Sequence, residues 1–266
     1  RVTMPPKILF TPAQAEAISE MSKPLQLIAC AGSGKTEVLA QRIANILQQP
    51  GVQPRNVIAF TFTDKAAAEL KERIYRTVGA AIPDIVGMAE MYVGTMHGYC
   101  LDLLQTYIPE TFKYGVLTDI TQQLLIDRMS AKSGLTTCTK TVGGNVTTLS
   151  RFKDTRYYKG ALSVLQEDDV TFGLVPDAVK ASLASYQNLL TEQRYFDYTS
   201  MMVEAVRFLE RSQVGPTLDT AEQSLRDHIE GDVRFVIVDE YQDVNPLQEK
   251  LIQRLVHFGA NLCVVG

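Results

Sequence analysis

The sequence predicts an α/β fold in which a parallel sheet is flanked by helices and a mostly helical subdomain is inserted. Strand-like runs alternate with helical patterns at both ends of the chain. Runs such as Val57–Phe62 and Phe235–Val238 contain few polar positions, as buried parallel strands do. The alternation stops near residue 112 and resumes near residue 196. We therefore expect a discontinuous core domain, residues 1–111 and 196–266, and an inserted helical subdomain, residues 112–195.

Composition excludes several classes of protein. The 266 residues are 45% hydrophobic, which is enough for a sizeable core, and no apolar run reaches the ~20 residues of a membrane-spanning helix. A net charge of −4 argues against nucleic-acid binding by bulk positive charge, so any such contact must be local. The four cysteines form no CxxC pair. We therefore expect a cytoplasmic protein without a disulfide framework or zinc site.

The N-terminal elements follow from caps and apolar spacing. Thr11 and Pro12 are typical of a helix start, and Thr63 can cap a helix that begins at Asp64. The predicted elements are a helix to about Met21, a strand over Leu25–Cys30, a helix over Lys35–Gln49, a strand over Val57–Phe62, a helix over Asp64–Val78, a strand over Met91–Gly94 and a helix over Met96–Tyr107.

The remaining elements divide into a helical middle and a final α/β segment. Thr136–Leu149 is rich in Thr and Gly and is predicted to be a loop. The other predictions are amphipathic helices at Gln122–Met129 and Asp177–Leu190, a strand over Val233–Val238, a helix from Asn245-Pro246 to about Phe258 and a strand over Leu262–Val265.

A glycine-rich segment lies between the first predicted strand and the second predicted helix. In that context glycines let backbone N–H groups surround phosphate oxygens at a helix N-terminus. Lys35 then reaches the β- and γ-phosphates of ATP, and the Thr36 hydroxyl ligates Mg²⁺. The alternative is a glycine-rich turn with an exposed lysine. The candidate nucleotide-binding residues are Ala29, which replaces the usual first glycine, Cys30, Ala31, Gly32, Ser33, Gly34, Lys35 and Thr36.

Two acids follow a buried strand near the C-terminus. In phosphate-loop enzymes this strand usually lies beside the first one, so we expect Asp239 to face the Mg²⁺ held by Thr36. Glu240 would orient or deprotonate the attacking water. An ordinary acidic turn is the alternative. Because Lys35 and Asp239 are 204 positions apart (239 − 35) yet belong to one sheet, a long insertion must separate them.

Six ordered segments resemble motifs of the UvrD/Rep-type superfamily 1 DNA helicases. They span most of the chain, and the inserted middle resembles the family only loosely. The segments are residues 10–18 (the Q motif), 29–36 (motif I, which also starts with alanine), 59–70 (motif Ia), 94–100, 195–198 and 238–243 (motif II as DEYQD).

The resemblance implies a RecA-like ATP-binding domain of a motor that uses ATP and Mg²⁺. Such motors translocate on single-stranded DNA, typically 3′ to 5′, and unwind duplex DNA in repair or recombination. Gln14 would read the adenine edge, and Gln242 would act with the catalytic Lys35 and Glu240 to couple nucleotide state to DNA. The DNA path would be lined by Thr61, Phe62, Thr63, Thr95 and His97.

Simpler explanations remain for several of these residues. Gln14 could close a capping box with Thr11, Phe62 could be a core residue, and His97 could merely start a helix. The basic and aromatic stretch 151–159 could contact DNA or form a solvated helix face. Many relatives have an arginine near adenine where this chain has Glu37.

The resemblance also implies partners. We expect single-stranded or duplex-junction DNA and a second RecA-like domain of the same protein. The sequence stops at residue 266, where the family pattern continues into a Gly-Asp-x-x-Gln motif. We therefore expect this chain alone to hydrolyse ATP very slowly and to unwind nothing. The alternatives are the motor part of a helicase–nuclease and an ATPase that does not act on nucleic acid.

Overall fold

A computed structural model describes residues 9–28, 34–168, 170, 172–215 and 217–266. The chain forms two compact units. One comprises Arg1–Met96, Asp227–Val244 and Leu255–Gly266, and the other comprises His97–Arg226 and Asn245–Arg254. The second unit contains the whole of the predicted insertion, and the domain bounds at 112 and 195 stay a prediction.

The described strands and helices alternate as the sequence predicts at both ends of the chain. The strands are β1 (Leu25–Leu27), β2 (Val57–Thr61), β3 (Tyr92–Thr95), β4 (Gly115–Val116), β5 (Thr139–Val142), β6 (Asn145–Thr148), β7 (Tyr195–Phe196), β8 (Phe235–Val238) and β9 (Asn261–Val265). The helices are α1 (Pro12–Ser19), α2 (Lys35–Leu47), α3 (Asp64–Ala81), α4 (Met96–Tyr107), α5 (Asp119–Arg128), α6 (Thr155–Glu167), α7 (Asp177–Gln193), α8 (Tyr198–Val214), α9 (Thr220–Gly231) and α10 (Pro246–Leu255).

The first unit is built on a five-stranded sheet of order β1-β9-β8-β2-β3, in which every neighbouring pair is parallel. Helices flank this sheet, which confirms the RecA-like α/β fold. The expectation that β1 lies beside β8 is wrong, because β9 lies between them and pairs with both. Leu27 pairs with Val265, and Val264 pairs with Val238. The buried side chains of Cys263, Val264 and Val265 suit this interior position.

The helices of the first unit form where the sequence places their caps and apolar residues. The α2 helix buries Leu39, Ile43 and Ile46 in the core of the sheet. The Thr63 side chain accepts a hydrogen bond from the Ala66 amide at 3.1 Å and so caps α3. The Thr63 cap and the apolar spacing of α2 were both predicted, and both predictions are confirmed.

The second unit has its own core, formed mainly by α5, α6 and α7. The parallel pair β4–β7 and the antiparallel hairpin β5–β6 complete it. The predicted loop at Thr136–Leu149 is therefore wrong. Gly143 and Gly144 have φ values of 59° and 83°, which the two-residue hairpin turn requires, and the flanking Thr and Val residues suit strands. No helix among the described residues is long and apolar enough to span a membrane.

A buried polar network joins three helices of the second unit. Gln122 Nε2 of α5 donates hydrogen bonds of 2.9 Å to Tyr186 Oη and to Asp197 Oδ2, and Tyr186 Oη also donates to Asp197. The other Asp197 oxygen accepts from the Ser200 amide at 2.6 Å and caps α8. Asp197 of the Phe-Asp motif thus fixes where α8 starts.

We predict that Asp197→Ala lowers the free energy of unfolding by about 2–4 kcal/mol. The change removes a helix cap, worth about 1 kcal/mol, and leaves buried donors unpaired at a further cost of about 1–3 kcal/mol. Thr118→Ala is the matched control, since Thr118 caps α5 at an exposed end and its loss should cost only about 1 kcal/mol. Equal losses in urea unfolding would contradict the network's importance.

Candidate functional site

The turn after β8 directs the two acids of the DEYQD segment. The Asp239 amide donates to Phe60 O at 3.0 Å, which continues the β8–β2 pairing by one residue. Glu240 has a φ of 52°, in the left-handed region that non-glycine residues seldom adopt. This turn ends the strand and leads into a 3-10 helix at Tyr241–Asp243. Such strain concentrates at functional sites.

Three predicted catalytic residues meet at this turn. Glu240 Oε2 accepts hydrogen bonds from Lys35 Nζ at 3.3 Å and from Gln242 Nε2 at 2.7 Å. Lys35 is the first residue of α2, and its side chain is 14% exposed. The Gln242 hydrogen bond, followed by that of Lys35, lowers the pKa of Glu240. The structure therefore holds an ionised carboxylate against the Lys35 amine, whose contact with phosphate stays a prediction.

Asp239 is half-buried beside this cluster. Burial is the main cause that raises the pKa of Asp239, and the hydrogen bond from the Glu240 amide to Oδ1, at 3.0 Å, opposes it. A carboxylate that is costly to ionise alone is stabilised by a divalent cation. Oxygen ligands from Asp239 and Thr36, on the first turn of α2, have the chemistry that Mg²⁺ prefers. These residues therefore fit the metal.

Gln14 lies against the N-terminus of α2. Gly34 caps that helix with a φ of 83°, and a Cβ built on it would lie 3.8 Å from Gln14 Nε2. The Gln14 Oε1 accepts from the Thr11 amide at 2.9 Å, so the capping box is formed. The cap orients the side chain, and the adenine contact stays a prediction. Ala29, Cys30, Ala31, Gly32 and Ser33 lie outside the described residues.

A buried arginine, which the sequence analysis missed, fixes α1 to α2. The Arg42 guanidinium is 1% exposed and donates to Ala17 O at 2.6 Å and to Glu20 O at 2.5 Å. It also donates to Asn261 Oδ1 of β9 at 3.3 Å. A charged residue between the apolar Leu39 and Ile43 was the available signal. Arg42 thereby holds the C-terminal end of the helix that carries Gln14.

Glu37, the departure from the helicase pattern, is paired. Its Oε2 accepts from Arg73 NH1 of α3 at 3.3 Å, and its Oε1 accepts from Gln41 Nε2 at 3.3 Å. A guanidinium therefore contacts the first turn of α2 even though residue 37 is a glutamate, because Arg73 of α3 supplies it.

The family follows from a comparison with known proteins. A family model, the UvrD/REP helicase N-terminal domain, matches residues 10–266. The chain belongs to the UvrD/REP helicase family. Its relatives include proteins named ATP-dependent DNA helicase PcrA. The one from Staphylococcus aureus (strain Mu50) is 31% identical over 264 residues, 95% of this chain and 32% of the relative. The one from Bacillus subtilis (strain 168) is 30% identical over 258 residues, 97% of this chain and 32% of the relative.

The chain spans about a third of the length of these relatives. Threonines lie at the carboxyl ends of two neighbouring strands of this chain. Thr61 of β2 pairs with Thr95 of β3. Thr61 is buried and donates to Thr63 O at 3.2 Å, so both Thr61 and Thr63 also have structural roles. Phe62 between them is partly exposed. Their DNA contacts stay predictions.

His97, the remaining candidate for DNA contact, belongs to the second unit of this UvrD/REP domain. Its ring packs edge-on against Tyr198, with centroids 5.2 Å apart. Burial lowers the pKa of His97, so the ring is neutral at physiological pH. A neutral imidazole offers hydrogen bonds to DNA, but little Coulombic attraction to phosphate.

We predict that Asp239→Asn raises the melting temperature at pH 7 in EDTA. A raised carboxyl pKa means that folding favours the protonated acid. That stabilisation is therefore lost as the pH rises through the raised pKa, and the ionised group is unfavourable at neutral pH. The same change should abolish the increase in melting temperature that Mg-ATP binding produces in the wild-type protein.

The matched control is Asp84→Asn, which alters an exposed acid elsewhere in the first unit and should change neither quantity. A lower melting temperature for Asp239→Asn in EDTA, or an unchanged gain with Mg-ATP, would refute the metal assignment.

Proposed function

We propose that the protein is the nucleotide-binding domain of an ATP-dependent DNA motor. It would hydrolyse ATP, translocate on single-stranded DNA in the 3′ to 5′ direction and separate strands at duplex junctions during repair or recombination. The cluster of Lys35, Glu240 and Gln242 carries this proposal, because it brings a phosphate-binding amine and a candidate base within hydrogen-bonding distance. Membership of the UvrD/REP family supports it.

The first step would be an exchange of anions at Lys35. Its amine already holds the Glu240 carboxylate, so the site accommodates an anionic oxygen at this point. A polyphosphate carries more charge and adds backbone hydrogen bonds at the start of α2. It would therefore displace Glu240 from Lys35. Glu240 would then be available to the attacking water.

Glu240 would orient that water rather than act as a strong base. Its lowered pKa makes it a weak proton acceptor, but a good acceptor of a hydrogen bond. Gln242 fixes the carboxylate from the other side, so a movement of Gln242 would change both catalysis and the hold on Lys35. Mg²⁺, bound by Thr36 and Asp239, would supply positive charge beside the phosphates.

We further propose that a second RecA-like domain of the same protein is a partner of this site. Its arginines would stabilise the charge on the transferred phosphoryl group, an effect worth about 10³–10⁵ in rate. Movement along DNA would then follow from closing and opening two such domains around ATP. Thr61, Phe62, Thr63 and Thr95, at the ends of β2 and β3, would contact the strand in this cycle.

Stimulation by DNA distinguishes this function from an ATPase that does not act on nucleic acid. In the full-length natural protein, single-stranded DNA should raise the steady-state ATPase rate severalfold or more. Lys35→Ala should remove this activity, since it loses a charge-assisted phosphate contact worth about 1.5–3 kcal/mol. Lys132→Ala, which removes an exposed lysine of the second unit, is the control and should keep it. An ATPase rate indifferent to DNA would refute the proposal.

Arg42 should position the base-reading side of the nucleotide site. Arg42→Lys keeps the charge but cannot reach both carbonyl groups of the α1 end, so Gln14 should shift away from Gly34. We predict that the affinity for ATP falls by about two- to tenfold, which corresponds to one hydrogen bond. The affinity for inorganic tripolyphosphate should not change. Calorimetric titration with both ligands measures this difference.

Gln14→Ala is the reference for that experiment and should reproduce the selective loss. Equal losses for both ligands in Arg42→Lys would show a general effect on the fold. Full ATP affinity in Gln14→Ala would refute adenine reading by Gln14.

A further inference from the structure

The turn between β6 and α6 exposes an aromatic ring on an unfavourable backbone. Phe152 has a φ of 62°, and its side chain is 71% exposed. Left-handed backbone is unfavourable for a residue with a bulky side chain, and an exposed phenyl ring gains little from burial. Neither feature stabilises the fold. Strained residues of this kind concentrate at functional sites.

Buried carboxylates on both sides hold this turn in place. Asp127 of α5 is 3% exposed and accepts hydrogen bonds from the Phe152 amide, at 2.8 Å, and from the Thr155 hydroxyl. Asp154 accepts from the Ser150 amide at 2.8 Å and from Lys140 Nζ at 2.5 Å. The Lys140 contact is the main cause that lowers the pKa of Asp154 to about 2. The backbone of this turn is therefore fixed by hydrogen bonds to buried carboxylates.

Positively charged residues flank the exposed ring in the sequence. The Arg151 guanidinium lies 5.1 Å from the centroid of the Phe152 ring. The exposed residues Arg151, Lys153 and Arg156 form no ion pair in the described part of the chain. Tyr157, the next residue after Arg156, is 73% exposed. Three exposed cations within six residues of sequence, one of them beside the ring, are unusual in a chain whose net charge is −4.

We propose that this basic aromatic turn, residues 150–157, binds DNA that has an exposed base face. The Phe152 ring would stack on the base, while Arg151, Lys153 and Arg156 would contact phosphates. An uninterrupted duplex offers no free base face, so the ligand is an unpaired strand or the end pair of a duplex at a junction. This inference rests on the proposed function, which supplies DNA as the substrate.

The experiment measures fluorescence anisotropy of the full-length protein with two DNA probes, at one salt concentration and without nucleotide. One probe is a single-stranded oligonucleotide, and the other is a relaxed, covalently closed duplex circle. Phe152→Ala should weaken single-strand binding at least about fivefold, the lower range for one base–aromatic stack, and leave circle binding unchanged. Phe152→Trp should retain the single-strand affinity. Phe112→Ala, which removes another exposed ring of the same unit, should have no effect.

The melting temperature tests whether the Phe152 ring contributes to binding rather than to stability. Phe152→Gly relieves the left-handed backbone, so it should raise the melting temperature while it weakens single-strand binding as Phe152→Ala does. A melting temperature of Phe152→Gly below that of the wild-type protein would show that the ring is structural and would overturn the inference.

Two binding outcomes would also overturn it. One is wild-type affinity for single strands in Phe152→Ala, and the other is an equal loss for single strands and circles. In both, the proposed function would stand, because the wild-type protein still binds DNA. If the wild-type protein bound neither probe, both the proposed function and this inference would be refuted.

Discussion

The contact between Lys35 and Glu240 is the interaction on which the site depends. It joins the first residue of α2 to the turn after β8 across 205 positions of sequence, at 3.3 Å. It forms only because β1 and β8 both pair with β9 in one parallel sheet, which brings their carboxyl ends to the same edge. The left-handed backbone at Glu240 and the hydrogen bond from Gln242 then set the direction of the carboxylate. Under the proposed function, this carboxylate and the phosphates of ATP compete for one amine.

Much of the first unit could be predicted from the sequence, because local physical signals agree with the final fold. The apolar spacing of α2, the Thr63 cap and the apolar runs of β2 and β8 each specify one element without help from distant residues. Lys35 and Glu240 were predicted to belong to one site, since each lies at the end of such an element, whereas Gln242 was implied only by the resemblance to UvrD/Rep helicases.

Other features depend on contacts that a sequence pattern does not encode. The sequence did not predict that β9 lies between β1 and β8. The five apolar-rich residues of β9 would suit several positions in a parallel sheet, so their sequence does not specify the strand order. The β5–β6 hairpin was missed, because a Gly-Gly turn in a Thr-rich segment was interpreted as a loop. The roles of Arg42 and Phe152 depend on carbonyl and carboxylate groups of other helices, which only the folded chain brings near.

The central claim is that Glu240 and the phosphates of ATP compete for Lys35. The most direct test is the affinity of Glu240→Gln for Mg-ATP, measured by calorimetric titration beside the wild-type protein. The neutral amide keeps the shape of the side chain but releases the Lys35 amine and removes a negative charge from the phosphate site. The account predicts tighter binding by Glu240→Gln, with hydrolysis lost. Equal or weaker binding would contradict it.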